Sequence, residues 1–326
     1  MKNMMKAVVL ESYGPPDRLR VRDIPKPVPG DHEVLVRVHA AAVNRTDSGL
    51  VRAKPFFMRI VTGLLRPKKA VSGSEFAGCV EATGPGVSRF SVGDRVFGFD
   101  DGGLGSHAEY LTIGEDAALA TMPATASYEQ AAGGLEGAHY AINFINKVKL
   151  EPGQNVLVNG ATGAIGSAAV QLLKVHGIHV TAVCGTGHKD LVRSLGADEV
   201  IDYEKEDFTK VPGRFSFVFD TVGKSSFGRC RHLLEPGGTY ISSELGYLAQ
   251  NIPLSLITPL LRGRHVRFPT PVDLQGSVKR VVQLMEEGKF RPVFDRSYPL
   301  GEVVGAFRYV ESGQKIGNVI LQMGPS

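Results

Sequence analysis

The chain has 326 residues, 43% apolar and 21% charged, which is the make-up of an ordinary globular protein and long enough for two cores. Its 37 Lys and Arg against 33 Asp and Glu leave a formal charge of +4, too slight to make nucleic acid a main partner. The three cysteines, Cys79, Cys184 and Cys230, lie far apart and argue against a disulfide framework or a cysteine zinc cluster. They suit reduced thiols, and Met5-Lys6-Ala7-Val8 leads straight into strand-like sequence, so a cytoplasmic protein is expected. The longest apolar stretch, residues 252–261, is broken by Pro253 and Pro259 and is too short to span a bilayer, so no membrane partner is expected.

Residues 1–125 read as a run of short strands. Ala7 to Leu10, Glu33 to His39, Phe76 to Glu81, Asp94 to Phe97 and Ala108 to Ile113 are separated by turn signals such as Gly14-Pro15-Pro16 and Gly102-Gly103. Val34, Val36 and Val38 alternate onto one face, and the segment predicts a partly open, all-β barrel. Within it, small apolar residues lead into Asn44 and Asp47, where a strand gives way to a loop or short helix. These two are either local caps of backbone N–H groups or polar members of a site. Between Ser48 and Ser74, Arg52, Lys54, Arg59, Arg66, Lys68 and Lys69 fall with no acid among them, as a solvated loop or an attractor of anions.

Residues 126–265 alternate strand and helix. Val156-Leu157-Val158 is a buried strand, followed by a glycine turn and a helix from about Ala164. Strands then follow at Val180 to Val183, Glu199 to Tyr203, Phe215 to Asp220 and Gly238 to Ser242. This order predicts an α/β, doubly wound parallel sheet of the Rossmann kind, which binds ligands at the carboxyl ends of its strands. The turn itself, Gly160, Ala161, Thr162, Gly163, Ala164, Ile165 and Gly166, offers backbone N–H groups and a helix dipole to a diphosphate. Val222, Gly223 and Ser242 lie at later strand ends.

An NAD site usually carries an acid about 20 residues beyond the turn, on the ribose hydroxyls. The stretch from Val183 to Lys189 contains none, whereas Thr186, His188 and Lys189 can donate to a 2′-phosphate, with Tyr203 at the end of the next strand beside it. The expected cofactor is therefore NADPH, preferred over the alternative that Lys189 simply opens a surface helix.

Residues 266–326 break the alternation. Leu274, Val278, Val281, Val282 and Met285 lie at helical spacing, a second helix runs from Leu300 to about Glu311, and Asn318 to Gln322 closes as a strand. This segment is expected to return to the first domain. Asn318 is counted with the cofactor residues.

Along almost its whole length the chain resembles the zinc-free medium-chain dehydrogenase/reductases of the quinone oxidoreductase, or zeta-crystallin-like, group. The likeness rests on Gly14-Pro15-Pro16, Val43-Asn44-x-x-Asp47, Gly73 to Gly78, Val92 to Gly98, Gly160 to Gly166, Leu195 to Asp198 with Val200 to Tyr203, Leu234-x-Pro236-Gly237-Gly238 and Gly317-x-Val319-Ile320. It implies a GroES-like barrel at 1–125, a Rossmann domain at 126–265 and a barrel return at 266–326, in a homodimer or tetramer. In the zinc alcohol dehydrogenases of this superfamily an early cysteine and a Gly-His-Glu histidine hold the metal. Here those places read Asn44-Arg45-Thr46-Asp47 and Gly73-Ser74-Glu75, so no metal site is expected.

The activity implied is hydride transfer from NADPH to a small quinone or α,β-unsaturated carbonyl, with hydrogen-bond donors on the developing oxyanion. Asn44 matches the family's pocket asparagine, and Asp47 would orient its loop. His139 falls near the threonine that many relatives place beside the nicotinamide, where it would donate a hydrogen bond or protonate an enolate; a histidine satisfied at a helix start fits the residues equally. Glu136 and Tyr140 are secondary candidates. Two alternatives are a 2-enoyl-thioester reductase and an NADPH-binding sensor or structural protein without turnover.

Overall fold

The computed structural model describes residues 4–54, 56 and 58–324. Its first stretch contributes strands β1 (Met4–Leu10), β2 (Leu19–Pro25), β3 (Glu33–Val43), β4 (Glu75–Thr83), β5 (Arg95–Phe99), β6 (Tyr110–Gly114) and β7 (Leu119–Thr121). The alternating middle contributes β8 (Asn155–Asn159), β9 (His179–Cys184), β10 (Glu199–Asp202), β11 (Phe215–Asp220), β12 (Leu234–Ser242) and β13 (His265–Arg267). The last stretch adds β14 (Phe294–Pro299) and β15 (Asn318–Gln322). The chain divides into two compact units, one of residues 1–136, 274–286 and 292–326 and the other of residues 137–273 and 287–291.

The first unit is built on β3. Its eleven residues are long enough to pair with β4 and β6 and, at the other end, with β15, all antiparallel. Val34, Val36 and Val38 are buried as their alternation requires, in one core with Phe76, Val96 and Leu321. Two register shifts against β4, at 35/36 and 38/40, bend the sheet, as bulges do in a partly closed barrel. From β14 the order runs β14-β15-β3-β4-β5-β7, so the late strands complete the early sheet. The helix Val303–Ser312 covers this sheet because Val303, Ala306, Phe307 and Val310 fall on one face and enter the same core.

The tip of β3, Ala40 to Val43, is wholly buried and ends at Asn44, whose extended backbone starts the helix Arg45–Arg52. At the third helical position Asp47 Oδ2 accepts the Asn44 N–H at 2.8 Å. That bond fixes where the strand stops and the helix begins.

The second unit holds a six-stranded parallel sheet in the order β10-β9-β8-β11-β12-β13. This is the doubly wound arrangement in which the strand order reverses between β8 and β11. β8 and β11 are central and covered on both faces, so they read as continuous apolar runs without alternation. After β8 the chain turns into the helix Ala164–Val175, which buries Ala168, Ala169, Val170, Leu172 and Leu173.

Candidate functional site

In the second unit the turn after β8 is shaped by what it must pack against. Gly160 has φ 81°, and a Cβ there would lie 2.4 Å from Val222 Cγ1. A Cβ on Gly166 would lie 2.1 Å from the Gly160 carbonyl oxygen, so helix and turn touch backbone to backbone. Gly163 is different. Its φ is −73°, and an added Cβ would meet nothing closer than 3.5 Å. Protein packing does not demand glycine at 163, whereas close approach of a diphosphate to the backbone does. The N–H groups of Ala164, Ile165 and Gly166 precede the first helical bond, Ser167 N–H to Gly163 O at 2.8 Å, and stand at the positive end of the helix.

The neighbouring strand ends are tied together under this turn. Asn159 Nδ2 donates to Asp220 Oδ1 at 2.9 Å, and Asp220 Oδ2 accepts from Tyr240 Oη and the Ser225 N–H, each at 2.9 Å. Burial and the Asp220 charge push the Tyr240 phenol far above its usual range, so it stays a neutral donor. Gly223, with φ 64°, packs against Glu244, and Ser242 Oγ accepts the Glu244 N–H at 3.3 Å.

At the end of β9 the structure adds an acid that linear spacing does not show. Asp202, opposite Cys184 across β9 and β10, accepts from Thr186 Oγ1 at 2.7 Å and lies 3.3 Å from Lys189 Nζ. Burial works against its charge, but the Thr186 hydroxyl, the Glu204 N–H and Lys189 together hold its carboxyl below the usual range. Thr186 and Lys189 are thus engaged with Asp202, with Lys205 at 4.0 Å from the same oxygen. His188 is half-buried in the short turn Thr186–His188, and Tyr203 is 59% exposed beside Gly185.

His139 lies in the helix Glu136–Ile145 and is 2% exposed. Burial lowers its pKa to about 4, with Asp273 opposing. The imidazole is therefore neutral at neutral pH. It retains one N–H, which can donate a hydrogen bond.

The first unit holds a cluster that the sequence shows only in pieces. Ser74 Oγ donates to Asp47 Oδ1 at 2.9 Å, and Thr46 Oγ1 donates to Glu136 Oε1 at 2.5 Å. Glu75, at the start of β4, accepts the Leu135 and Glu136 N–H groups at 2.5 and 3.1 Å and so caps the helix that follows. Lys315 Nζ donates to Asn44 Oδ1 at 3.0 Å and to the Gly317 carbonyl. An ammonium can only donate, so this contact fixes the Asn44 amide with Nδ2 turned away. That Nδ2 is buried with no hydrogen bond inside the structure, although the amide lies near enough to Glu136 to favour its charged form.

The electrostatics follow from three enclosed carboxyls and one ammonium. Burial, opposed by the Asn44 and Ser74 hydrogen bonds, pushes Asp47 up to about 6. Burial and then the Asp47 charge push Glu136 up to about 7, while burial and then Glu136 drive Glu75 well above the carboxylate range. Burial brings Lys315 down to about 8, with Glu136 opposing. Thr46, Ser74, Glu75 and Lys315 were not singled out as site residues from the sequence. An acid inside Gly73-Ser-Glu-Phe-Ala-Gly78 is the available signal for Glu75, but nothing local marks Lys315. Asn318 lies in this unit, on β15; its Nδ2 donates to the carbonyls of Gly133 and Val293 at 2.8 and 2.9 Å, and its Oδ1 is buried with no hydrogen bond inside the structure.

A barrel unit with a buried polar cluster and a doubly wound unit with a glycine-turn diphosphate cradle define a nicotinamide-dependent oxidoreductase. A family model for the alcohol dehydrogenase GroES-like domain matches residues 30–128, and one for a zinc-binding dehydrogenase matches residues 195–321. The chain belongs to the quinone oxidoreductase group of the medium-chain dehydrogenase/reductases. It is 30% identical to an NADPH-dependent alkenal/one oxidoreductase of Arabidopsis thaliana over 97% of this chain and 79% of that protein. It is 28% identical to a chloroplastic quinone-oxidoreductase homolog of Spinacia oleracea over 98% of each. In fold it matches the quinone oxidoreductase from Coxiella burnetii with a TM-score of 0.84, covering 99% and 100% of the two chains at 24% identity.

The second family model raises the question of zinc. Among the described residues no group of three or more His, Cys, Asp and Glu is placed to hold a metal ion. In the barrel cluster an ammonium stands on Asn44, and both oxygens of Asp47 and one oxygen each of Glu75 and Glu136 are taken by N–H and O–H donors. This donor set does not fit zinc. The residues of the glycine turn do fit a nicotinamide dinucleotide.

Proposed function

We propose that the chain is a metal-independent, NADPH-dependent reductase of quinones and α,β-unsaturated carbonyls. The observation that carries this reading is the turn at 160–166, where Gly160 and Gly166 are required by packing and Gly163 is left for a ligand. The relatives named for quinone and for alkenal/one substrates support the acceptor class. When bound, NADPH supplies a hydride, and the protein's part is to hold and orient the reactants and to manage the accompanying proton.

In this reading the N–H groups of Ala164, Ile165 and Gly166 carry the diphosphate, and Thr186, Lys189 and Tyr203 flank the ribose phosphate. Lys189 answers Asp202 and an incoming phosphate together, which is why Asp202 does not forbid NADPH. His139 donates a hydrogen bond as a neutral imidazole. Asn44 is held by Lys315, and Asp47 braces its loop through Ser74.

Loss of NADPH absorbance with a quinone, an enone and an enoyl thioester in parallel tests the proposal. Consumption with the first two and no stoichiometric zinc in the active protein are expected. Tight NADPH binding without consumption on any acceptor contradicts it, and preference for the thioester moves the substrate class.

A further inference from the structure

The cations between Ser48 and Ser74 take no part in the site described above, and the same segment of the first unit carries apolar side chains in water. Phe56 and Ile60 are exposed, and Leu64 and Leu65 are 64% and 85% exposed. Loop tips ordinarily carry small or polar residues, and adjacent leucines in water mark a surface that something else covers. The loop that presents them is firmly built. The Lys68 N–H returns to the carbonyl of Thr62, the last residue of the helix Met58–Thr62, at 2.8 Å and closes residues 62–68 on themselves. Gly63 has φ 125°, and a Cβ on it would lie 2.0 Å from the Arg66 carbonyl oxygen, so the neck requires glycine. Tyr13, between β1 and β2, ties this neck down. Its hydroxyl lies 2.8 Å from Thr62 Oγ1 and donates to the Gly63 carbonyl at 2.9 Å, and the Arg59 guanidinium stands 5.1 Å over its ring. The neck is pinned while the tip, Leu64-Leu65-Arg66, stays in solvent.

Along this segment the charge is of one sign. Arg52 is paired with Glu311 and Lys69 donates to the Gly103 carbonyl, but Lys54, Arg66 and Lys68 are exposed and meet no carboxylate among the described residues. Leucines at a tip, flanked by ammonium and guanidinium groups, match an anionic bilayer surface. The apolar side chains enter the boundary between headgroups and acyl chains, and the cations reach the lipid phosphates. Other occupants fit less well. A second copy presenting the same face would bring like charges together. A nucleic acid offers bases to stack on, and the tip carries no aromatic ring. No helix among the described residues is long and apolar enough to cross a membrane, so the contact is one of surface attachment.

We propose that the loop at 62–68 is a membrane-docking element that seats Leu64 and Leu65 in an anionic lipid surface, with Arg66 and Lys68 on the headgroups. Docking of this kind is reversible, because two leucines and a few cations bind far more weakly than a spanning helix, and it fades as salt screens the charges. It is independent of which acceptor the hydride reaches.

The test is flotation of the full chain with vesicles of phosphatidylcholine alone and of phosphatidylcholine with about 30 mol% phosphatidylglycerol, at rising salt. Wild type should float with the anionic vesicles, less so as salt rises, and stay behind with the neutral ones. Leu64→Ser combined with Leu65→Ser should weaken the partition by at least about tenfold, and Arg66→Ala combined with Lys68→Ala by about twentyfold, near fivefold per charge. Both double variants should keep the wild-type Tm, since these side chains are exposed. The chain has no tryptophan, so Leu65→Trp puts a lone indole at the tip, and its emission should move to the blue on the anionic vesicles alone. A wild type that ignores anionic vesicles, or an indole that does not shift on them, overturns the proposal. So does a Leu64→Ser, Leu65→Ser protein that floats as well as wild type, because charge alone then holds the chain. If that variant melts lower, the leucines pack within the chain, and if it dissolves a wild-type dimer, a second copy covers the face. Either result overturns the docking of lipid.

Discussion

In the proposed reading Lys189, 3.3 Å from Asp202, favours NADPH over NADH by its charge. Lys189→Ala should weaken NADPH by about tenfold or more, the worth of a charge-assisted hydrogen bond, and leave NADH nearly unchanged. Equal losses in titrations with the two cofactors would refute the assignment. Glu136 makes a second residue-scale prediction, in stability. Its carboxyl is raised from 4.5 to about 7 by folding, so its contribution is full below 4.5 and is lost as pH rises through about 7. Glu136→Gln removes that titration, so its Tm relative to wild type should improve steadily between those pH values. A difference independent of pH would contradict the buried, protonated carboxyl. Individual residues were legible where their partners are local, as with Asn44 and Asp47, three positions apart. Asp202 was not, because the β9–β10 register and not the chain brings it to Thr186.

Among the elements, the strand–turn–helix after β8 makes the sharpest prediction. Gly166→Ala would drive a Cβ to 2.1 Å from the Gly160 oxygen, so helix and turn must separate. Melting should show a loss of a few kcal/mol with cofactor binding abolished. Gly163→Ala has room and should keep its Tm while weakening NADPH. A Gly163→Ala protein that loses stability as well would show that glycine there serves packing. Both glycines were legible as a turn, since an apolar run followed by glycines and a periodic helix has few other solutions. Other elements left weaker traces. β2 carries Arg20, Arg22 and Asp23 through its middle, as the partner of β1 in a two-stranded sheet can, and β7 and β13 are three residues each. Such short or polar edge strands are set by the partner they find, not by their own periodicity.

At the scale of the whole molecule, the late residues 292–326 complete the sheet begun by β3, and this was legible as a break in the strand–helix alternation. The barrel cluster was not legible as a unit. Lys315 is 271 positions from Asn44, and Glu136 is 90 from Thr46, distances over which no spacing rule operates. What such a cluster does must be read from burial and hydrogen bonding. In the proposed reading the second unit cradles the hydride donor, and the acceptor gains its second hydrogen from solvent. Reduction of an enone with NADPH deuterated at nicotinamide C4, followed by mass spectrometry and NMR of the product, tests this most directly. One deuterium at the β-carbon, with the second hydrogen from solvent, is the result expected. A product without cofactor deuterium, or deuterium at the carbonyl carbon as in an alcohol dehydrogenase, would contradict it.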